Sequence, residues 1–293
     1  MDRPPEQDVI DPLRFRVPLD PHLPRTVKTQ FPFPPRIATT DTQTAGRRES
    51  PPRNNVLAAA MKILVLADIH SNWPALSAIH ETFDACLFLG DLVDYATDPV
   101  PCIDWVRANS SMAIRGNHDH AVAQHVPARG GAGFRALAAA TRPVHWELID
   151  SNRLKYLARL PVSRRLTIGD LTFHLLHATP RDPLDEYLGD DPAAWQARVA
   201  EIDADFLCVG HTHRPLLLET ERLRVLNPGS VGQPRDGDPR AAYAVIENGR
   251  VEFRRVEYDI DATLQQMRSV GIGEEGLRLA ESALRTGGSL PDD

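Results

Sequence analysis

Two hydrophobic periods alternate along this chain, and each switch between them marks a short element. Lys62 to Ala67 is an apolar run rich in Ile, Leu and Val, with no Pro or Gly, which predicts a strand buried on both faces. It stops at Asp68-Ile69-His70. Asn72 and Pro74 then open a helix over about 73–83, with Leu76, Ile79, His80 and Phe83 at helical spacing. Ala85 to Leu89 repeats the strand pattern and ends in Gly90-Asp91-Leu92-Val93-Asp94. Asp98 and Pro99 start a helix to about Ala108, and Ser111 to Arg115 forms a third strand ending in Gly116-Asn117-His118-Asp119. Strand–helix–strand–helix–strand is the sequence form of a parallel sheet with right-handed crossovers.

Further along, residues 120–157 are Ala-rich and read as helical, broken at Gly130-Gly131, with Trp146, Ile149 and Leu157 as candidates for the buried face. This block is expected to sit over one side of the site as a small helical cap. Val162 to Ile168 and Leu171 to His177 flank Gly169-Asp170 and predict a hairpin. A helix is expected from Pro192 to Ala200, then a buried strand from Phe206 to Val209 that stops at Gly210-His211-Thr212-His213. Leu216 to Thr220, Leu223 to Asn227, Ala241 to Glu247 and Val251 to Val256 complete the strands, with Asn248-Gly249 as the last hairpin turn. Two helices are expected between Ala262 and about Arg285.

Residues 1–60 differ in kind. They carry 11 of the 25 prolines, scattered charge and no apolar period, a composition that cannot offset its own ordering entropy. They read as a disordered leader, and Met61, directly before the first strand, is a candidate natural start. The domain reading is therefore 1–60 leader, 61–258 catalytic domain and 259–293 C-terminal helices and tail. The net charge of −7, without a Lys/Arg run, argues against a surface for long nucleic acid while leaving room for a short nucleotide. No apolar stretch approaches the roughly 20 residues that span a bilayer. Cys86, Cys102 and Cys208 form no CxxC pair, and Cys86 and Cys208 lie in apolar runs as buried thiols, which together suit a reducing cytoplasm.

Five strands thus end in polar clusters: Asp68/His70, Asp91, Asn117/His118, His177 and His211/His213. Open α/β sheets place their sites at such strand ends. Imidazole and carboxylate together suit two divalent ions of intermediate hardness, with Mn first and Fe, Ni, Zn and Co as alternatives, since Mg and Ca prefer all-oxygen shells. Asp91 is the natural bridge, because one carboxylate can span two ions roughly 3.5–4 Å apart.

In this order, DIH, GDLVD, GNHD, an isolated His after a strand, and GHTH resemble the calcineurin-like metallophosphoesterase superfamily over about residues 61–256, closest to its compact prokaryotic phosphodiesterase-like branch. That branch also carries a turn like Asn227 to Ser230. The resemblance implies a four-layer αββα sandwich of two mixed β-sheets flanked by helices. It implies one metal on Asp68, His70, Asp91 and His213, and a second on Asp91, Asn117, His177 and His211. His118 would be the catalytic, non-ligating histidine acting as general acid while a metal-bridging hydroxide attacks phosphorus, with Asp119 orienting its ring. Where the protein phosphatases and dinucleoside tetraphosphatases of the superfamily read GDxVDRG, this chain has Tyr95 after Asp94, so that phosphate-binding Arg is missing. GNHD likewise departs from their GNHE. Both departures favour a small, nucleotide-like phosphodiester substrate over a serine/threonine phosphoprotein or a phosphomonoester.

Blander readings stand beside these. His70, His177, His211 and His213 could singly be satisfied core or loop histidines. Asp94 reads as a turn residue or a support for the ligands. His120, His125 and His145 read as solvated or packed within the cap, and His174 as packed within its strand. Gly90, Gly116 and Gly210 read as letting the backbone turn close to the metals. Ser230 reads first as a turn residue. Arg181 and Arg235 are candidate phosphate clamps with a plain surface role as the alternative. A metal-dependent binding or scaffold protein is the reading of another class, since fold alone does not decide function.

Overall fold

The computed structural model of the chain describes residues 61–128 and 132–290. The expected leader, the Gly130-Gly131 break and the last three residues lie outside them. Side chains alternate across each strand, so a sheet covered on both faces has two apolar sets to bury. In β1 (Lys62–Leu66), Ile63 and Val65 point one way and Leu64 and Leu66 the other, and all four are buried. β1 runs parallel to β2 (Ala85–Phe88), which runs parallel to β3 (Met112–Ala113), and antiparallel to β9 (Ala241–Glu247), itself paired with β10 (Arg250–Val256). The first sheet has the order β10-β9-β1-β2-β3. The second, β4-β5-β6-β8-β7, joins β4 (Ser163–Ile168), β5 (Leu171–Leu176), β6 (Phe206–Cys208), β8 (Arg224–Pro228) and β7 (Pro215–Glu219).

Ile63, Val65, Leu87 and Leu89 of the first sheet meet Phe173, Leu175, Phe206 and Cys208 of the second in one buried layer. On the outer face of the first sheet, Leu64, Leu66 and Phe88 pack with α1 (Trp73–Ser77), α2 (Pro99–Asn109), α3 (Asn117–Ala123) and α5 (Ser151–Arg159). On the outer face of the second, Leu176, Leu207 and Val225 pack with Trp195 and Val199 at α6 (Pro192–Arg198). The four αββα layers follow from this alternation. All three cysteines are buried and unpaired. Among the described residues, no helix is long and apolar enough to cross a membrane.

Three local expectations need correction. The first helix stops at Ser77 instead of running to about Phe83. Glu81 is drawn off to Lys62 Nζ (2.6 Å), and Asp84 accepts from the Lys62 amide while its own amide donates to the Lys62 carbonyl. The segment spends its polar groups on the start of β1 and leaves none for another helical turn. β3 is only two residues long, because Arg115 N already donates to Pro161 O as the chain turns towards Gly116. Residues 120–157 do not form one cap either. Val122, Ile149 and Leu157 join the outer layer of the first sheet, whereas α4 (Phe134–Leu148) packs through Leu137 and Ala138 with Leu264, Met267 and Leu277. Those partners belong to or lie beside α7 (Ile260–Ser269) and α8 (Glu274–Thr286).

The inter-sheet layer should therefore carry much of the stability. Leu87→Ala, at a fully buried position between the sheets, is expected to lower unfolding free energy by about 2–5 kcal/mol in chemical denaturation. A loss below about 1 kcal/mol would mean that the two sheets are not packed through this residue.

Candidate metal centre

The polar strand ends converge on one edge of the two sheets. Asp68 and His70 follow β1, Asp91 follows β2, His177 follows β5, and His211 and His213 follow β6, and all six are buried. Two donor sets form: Asp68, His70, Asp91 and His213 in one, and Asp91, His177 and His211 in the other, with Asp91 in both. Asn117, at the start of α3, presents a buried Oδ1 with no hydrogen-bond partner. These are the seven ligands expected from the sequence.

The tautomers show what the sets are for. His70 Nδ1 lies 2.8 Å from Val93 O, His213 Nδ1 2.6 Å from Gln233 O, and His177 Nδ1 2.8 Å from Leu89 O. A carbonyl only accepts, so each Nδ1 carries a proton, and in His70 and His213, which burial keeps neutral, Nε2 is left with a bare lone pair. Yet His70 Nε2 and His213 Nε2 face each other at 3.1 Å, and His177 Nε2 faces Asp91 Oδ2 at 3.1 Å. Asp68 Oδ2 and His211 Nε2 are buried without hydrogen-bond partners. Opposed lone pairs with nothing between them are what a cation resolves, and imidazole with carboxylate is the donor mixture for Mn, Fe, Co, Ni or Zn. The residues present fit two such ions.

Electrostatics agree. Burial pushes the Asp68 carboxyl up to about 7 and holds His70 and His211 down at about 3. Burial likewise lowers His213 well below the ordinary range, with Arg235 and His70 adding to it. His177 is the exception: burial opposes its proton, but Asp91 outweighs it and raises the group to about 9. Asp91 is held well below the usual carboxylate range, since His177 and His118 overcome the burial penalty.

Holding these groups together bends the chain. Ten described non-glycine residues have positive φ, and eight of them are Asp68, His70, Ser71, Asp91, Asp94, Tyr95, His211 and His213. Such strain gathers where surrounding structure over-determines it. Gly116 has no room for a side chain, because a Cβ there would lie 2.1 Å from Asp91 Oδ1.

His118 is not in either donor set. Its Nδ1 lies 2.6 Å from Asp94 Oδ2, and its backbone N–H donates to Asp91 Oδ1 at 2.9 Å. Burial works against its protonation, but Asp91 and Asp94 prevail and raise its pKa. The orienting role expected of Asp119 belongs to Asp94. Asp119 instead accepts the N–H groups of Gly116 (3.0 Å), Asp91 (2.9 Å) and Leu92 (2.8 Å), tying the Asp91 loop to the first turn of α3. Of the expected clamps, Arg235 stands beside the ligands, its guanidinium 3.8 Å from the Phe134 ring centroid and 5.5 Å from that of Tyr95. Arg181 does not: its side chain is 66% exposed and ion-paired to Glu186.

Sequence reasoning missed the contribution of α4. Buried Arg142 grips Asp94 Oδ2 through Nε (3.0 Å) and Nη2, and donates from Nη1 to Val126 O. His145 donates from Nδ1 to Thr141 O, and its Nε2 accepts from Ser71 Oγ (2.8 Å) and Asp94 N (3.1 Å), pinning two ligand loops. Thr141 Oγ1 accepts from Tyr95 N. The signal lay in the spacing: positions 141, 142 and 145 place three polar residues on one face of an Ala-rich helix that should bury apolar ones.

Known proteins resemble the chain in sequence and fold. A family model, the calcineurin-like phosphoesterase superfamily domain, matches residues 61–249. An uncharacterised protein of Methanocaldococcus jannaschii is 30% identical over 232 residues, 70% of this chain and 91% of that protein. The crystal structure of a metallophosphoesterase from Sphaerobacter thermophilus aligns with a TM-score of 0.64 at 33% identity, covering 78% of this chain and 99% of the other. A hypothetical protein from Pyrococcus horikoshii aligns with a TM-score of 0.67 at 25% identity over the same shares. Fold, donor sets and family match agree, and the chain belongs to the calcineurin-like phosphoesterase superfamily.

Proposed function

We propose that this protein is a two-metal phosphodiesterase acting on a small, nucleotide-like diester, with His118 as general acid. The observation that carries the reading is the pair of donor sets sharing Asp91, into which His70, His213 and His211 turn Nε2 atoms that no donor satisfies. Asp68, His70, Asp91 and His213 would hold one ion, and Asp91, Asn117, His177 and His211 the other, with Mn the first candidate. When bound, such ions make a hydroxide nucleophile accessible at neutral pH and neutralise charge on phosphoryl oxygens.

The chain's own residues supply the rest. Asp94 accepts a 2.6 Å hydrogen bond from the Nδ1–H of His118, which fixes the ring and leaves Nε2–H to deliver a proton to the departing oxygen. Fully buried Asp94 faces inward, whereas the His118 side chain keeps 12% of its surface exposed and can meet a substrate. His118 and then Arg142 keep Asp94 ionised against its burial, and Arg142 aims it; Arg142 is a positioning residue two steps from the chemistry. Arg235 flanks the ligands, while Arg142 is spent on Asp94. One guanidinium beside the ions suits the single negative charge of a diester better than the dianion of a monoester.

With metal-stripped protein resupplied separately with Mn, Ni, Zn, Fe and Mg, hydrolysis of bis-p-nitrophenyl phosphate should exceed that of p-nitrophenyl phosphate. Faster monoester hydrolysis would overturn the diester assignment, and no turnover with any metal despite two bound ions would favour a scaffold.

His118→Ala should keep its metals and lose about 10²–10⁴-fold in turnover on a diester with an alkyl leaving group. Full activity there would remove His118 from the reaction. Arg142→Ala should lose about 10–100-fold on the same ester, less on a nitrophenyl ester that needs no acid, with metal content unchanged. An equal loss on both esters would show that Arg142 does not act through His118.

A further inference from the structure

One aromatic ring stands exposed at the mouth of the metal centre. Tyr187 is 65% exposed, yet its ring centroid lies only 4.0 Å from that of His211, tilted by 38°. The contact with His211 leaves the greater part of the ring open to water.

The loop that presents it is well fastened. Glu186, the preceding residue, accepts from Thr179 Oγ1 and is ion-paired to Arg181 and, at 2.8 Å, to Arg198. Asp182 Oδ1 accepts the amides of Leu184 and Asp185, and Ala178 N donates to Pro183 O. Tyr187 is thus held in place by its neighbours and not by burial of its own ring, which is how a preorganised contact surface is built.

Across the same opening, the Arg235 guanidinium lies over Phe134 and Tyr95, and the hydroxyls of Tyr95 and Tyr187 both face it. Its Nη2 donates to Gln233 Oε1 at 2.8 Å, while its Nε is buried without a partner. A guanidinium held in place by rings beside the metal ligands is preorganised to meet a phosphoryl oxygen through its terminal nitrogens. An anion contact and an open ring therefore border one set of metal ligands.

We propose that Tyr187 and Arg235 form a recognition subsite for the substrate's nucleoside moiety, Tyr187 stacking on the planar base and Arg235 binding a phosphoryl oxygen. The subsite deepens the phosphoesterase reading and rests on it. It makes a base, and not merely a phosphoester, part of what the protein selects.

Binding tests this without turnover, so its failure is distinct from failure of the proposed activity. Full-length Mn-loaded protein is titrated calorimetrically with AMP and with ribose 5-phosphate, which carries an anomeric hydroxyl where AMP carries the base. The wild type should prefer AMP by about tenfold or more, the order of one base–aromatic stack. Tyr187→Ala should bring the two affinities within about twofold, and Tyr187→Phe, which keeps the ring, should preserve the preference. Equal affinities in the wild type, a preference that survives Tyr187→Ala, or no binding of either compound would each overturn the subsite.

Discussion

Two imidazole nitrogens 3.1 Å apart, each with its proton committed to a carbonyl on the far side of its ring, set the terms for this structure. Water is excluded, since His70 and His213 are 0% and 2% exposed. Neither nitrogen can donate to the other, so their lone pairs repel at short range in a low-dielectric interior. His177 Nε2 and Asp91 Oδ2, 3.1 Å apart, form a buried ion pair instead, in which a bound cation would take the place of the His177 proton. One buried orphan acceptor costs roughly 1–3 kcal/mol, so a cation held by this cluster would relieve several such costs at once. Binding it would then add directly to the stability of this edge of the sheets.

The rest of the architecture serves that geometry. Parallel β1, β2 and β3 bring Asp68, Asp91 and Asn117 to the same edge, and the second sheet delivers His177, His211 and His213 opposite them. Strand ends alone do not aim side chains inward; the left-handed turns at Asp68, His70, Asp91, His211 and His213 do. Asp119 holds the Asp91 loop from one side, and His145 holds the Ser71 and Asp94 backbones from the other. Helix α4 reaches the site from outside the sandwich layers, so the packing of α4 against α7 and α8 supports the orientation of His118 through Arg142 and Asp94.

What the sequence made legible follows from the range of each interaction. β1, β2 and β6 were readable because two-sided burial leaves uninterrupted apolar runs, and the candidate ligands because each follows soon after the end of a strand. The short first helix was not, since its end is set by Glu81 and Asp84 bonding to Lys62, some 20 residues earlier. The partner of His118 was misassigned for a similar reason. Asp119 is its neighbour in sequence, but a residue at the third position of a helix turns its carboxylate back to the helix start, while Asp94 arrives from another loop. Arg142 and His145 were hidden because their spacing on α4 marks a polar face but not its partner, the Asp94 loop some 50 residues earlier. Arg181 and Arg235 looked equivalent as isolated loop arginines, and only the fold separates one paired with Glu186 from one packed among aromatic rings beside the ligands.

The central claim is that these buried lone pairs are built around two cations sharing Asp91. Anomalous diffraction from crystals of the full chain grown with Mn tests it most directly. The account predicts two peaks per chain, one among Asp68, His70, Asp91 and His213, the other among Asp91, Asn117, His177 and His211. No peak, or His70 and His213 still facing each other with no ion between them, would contradict it.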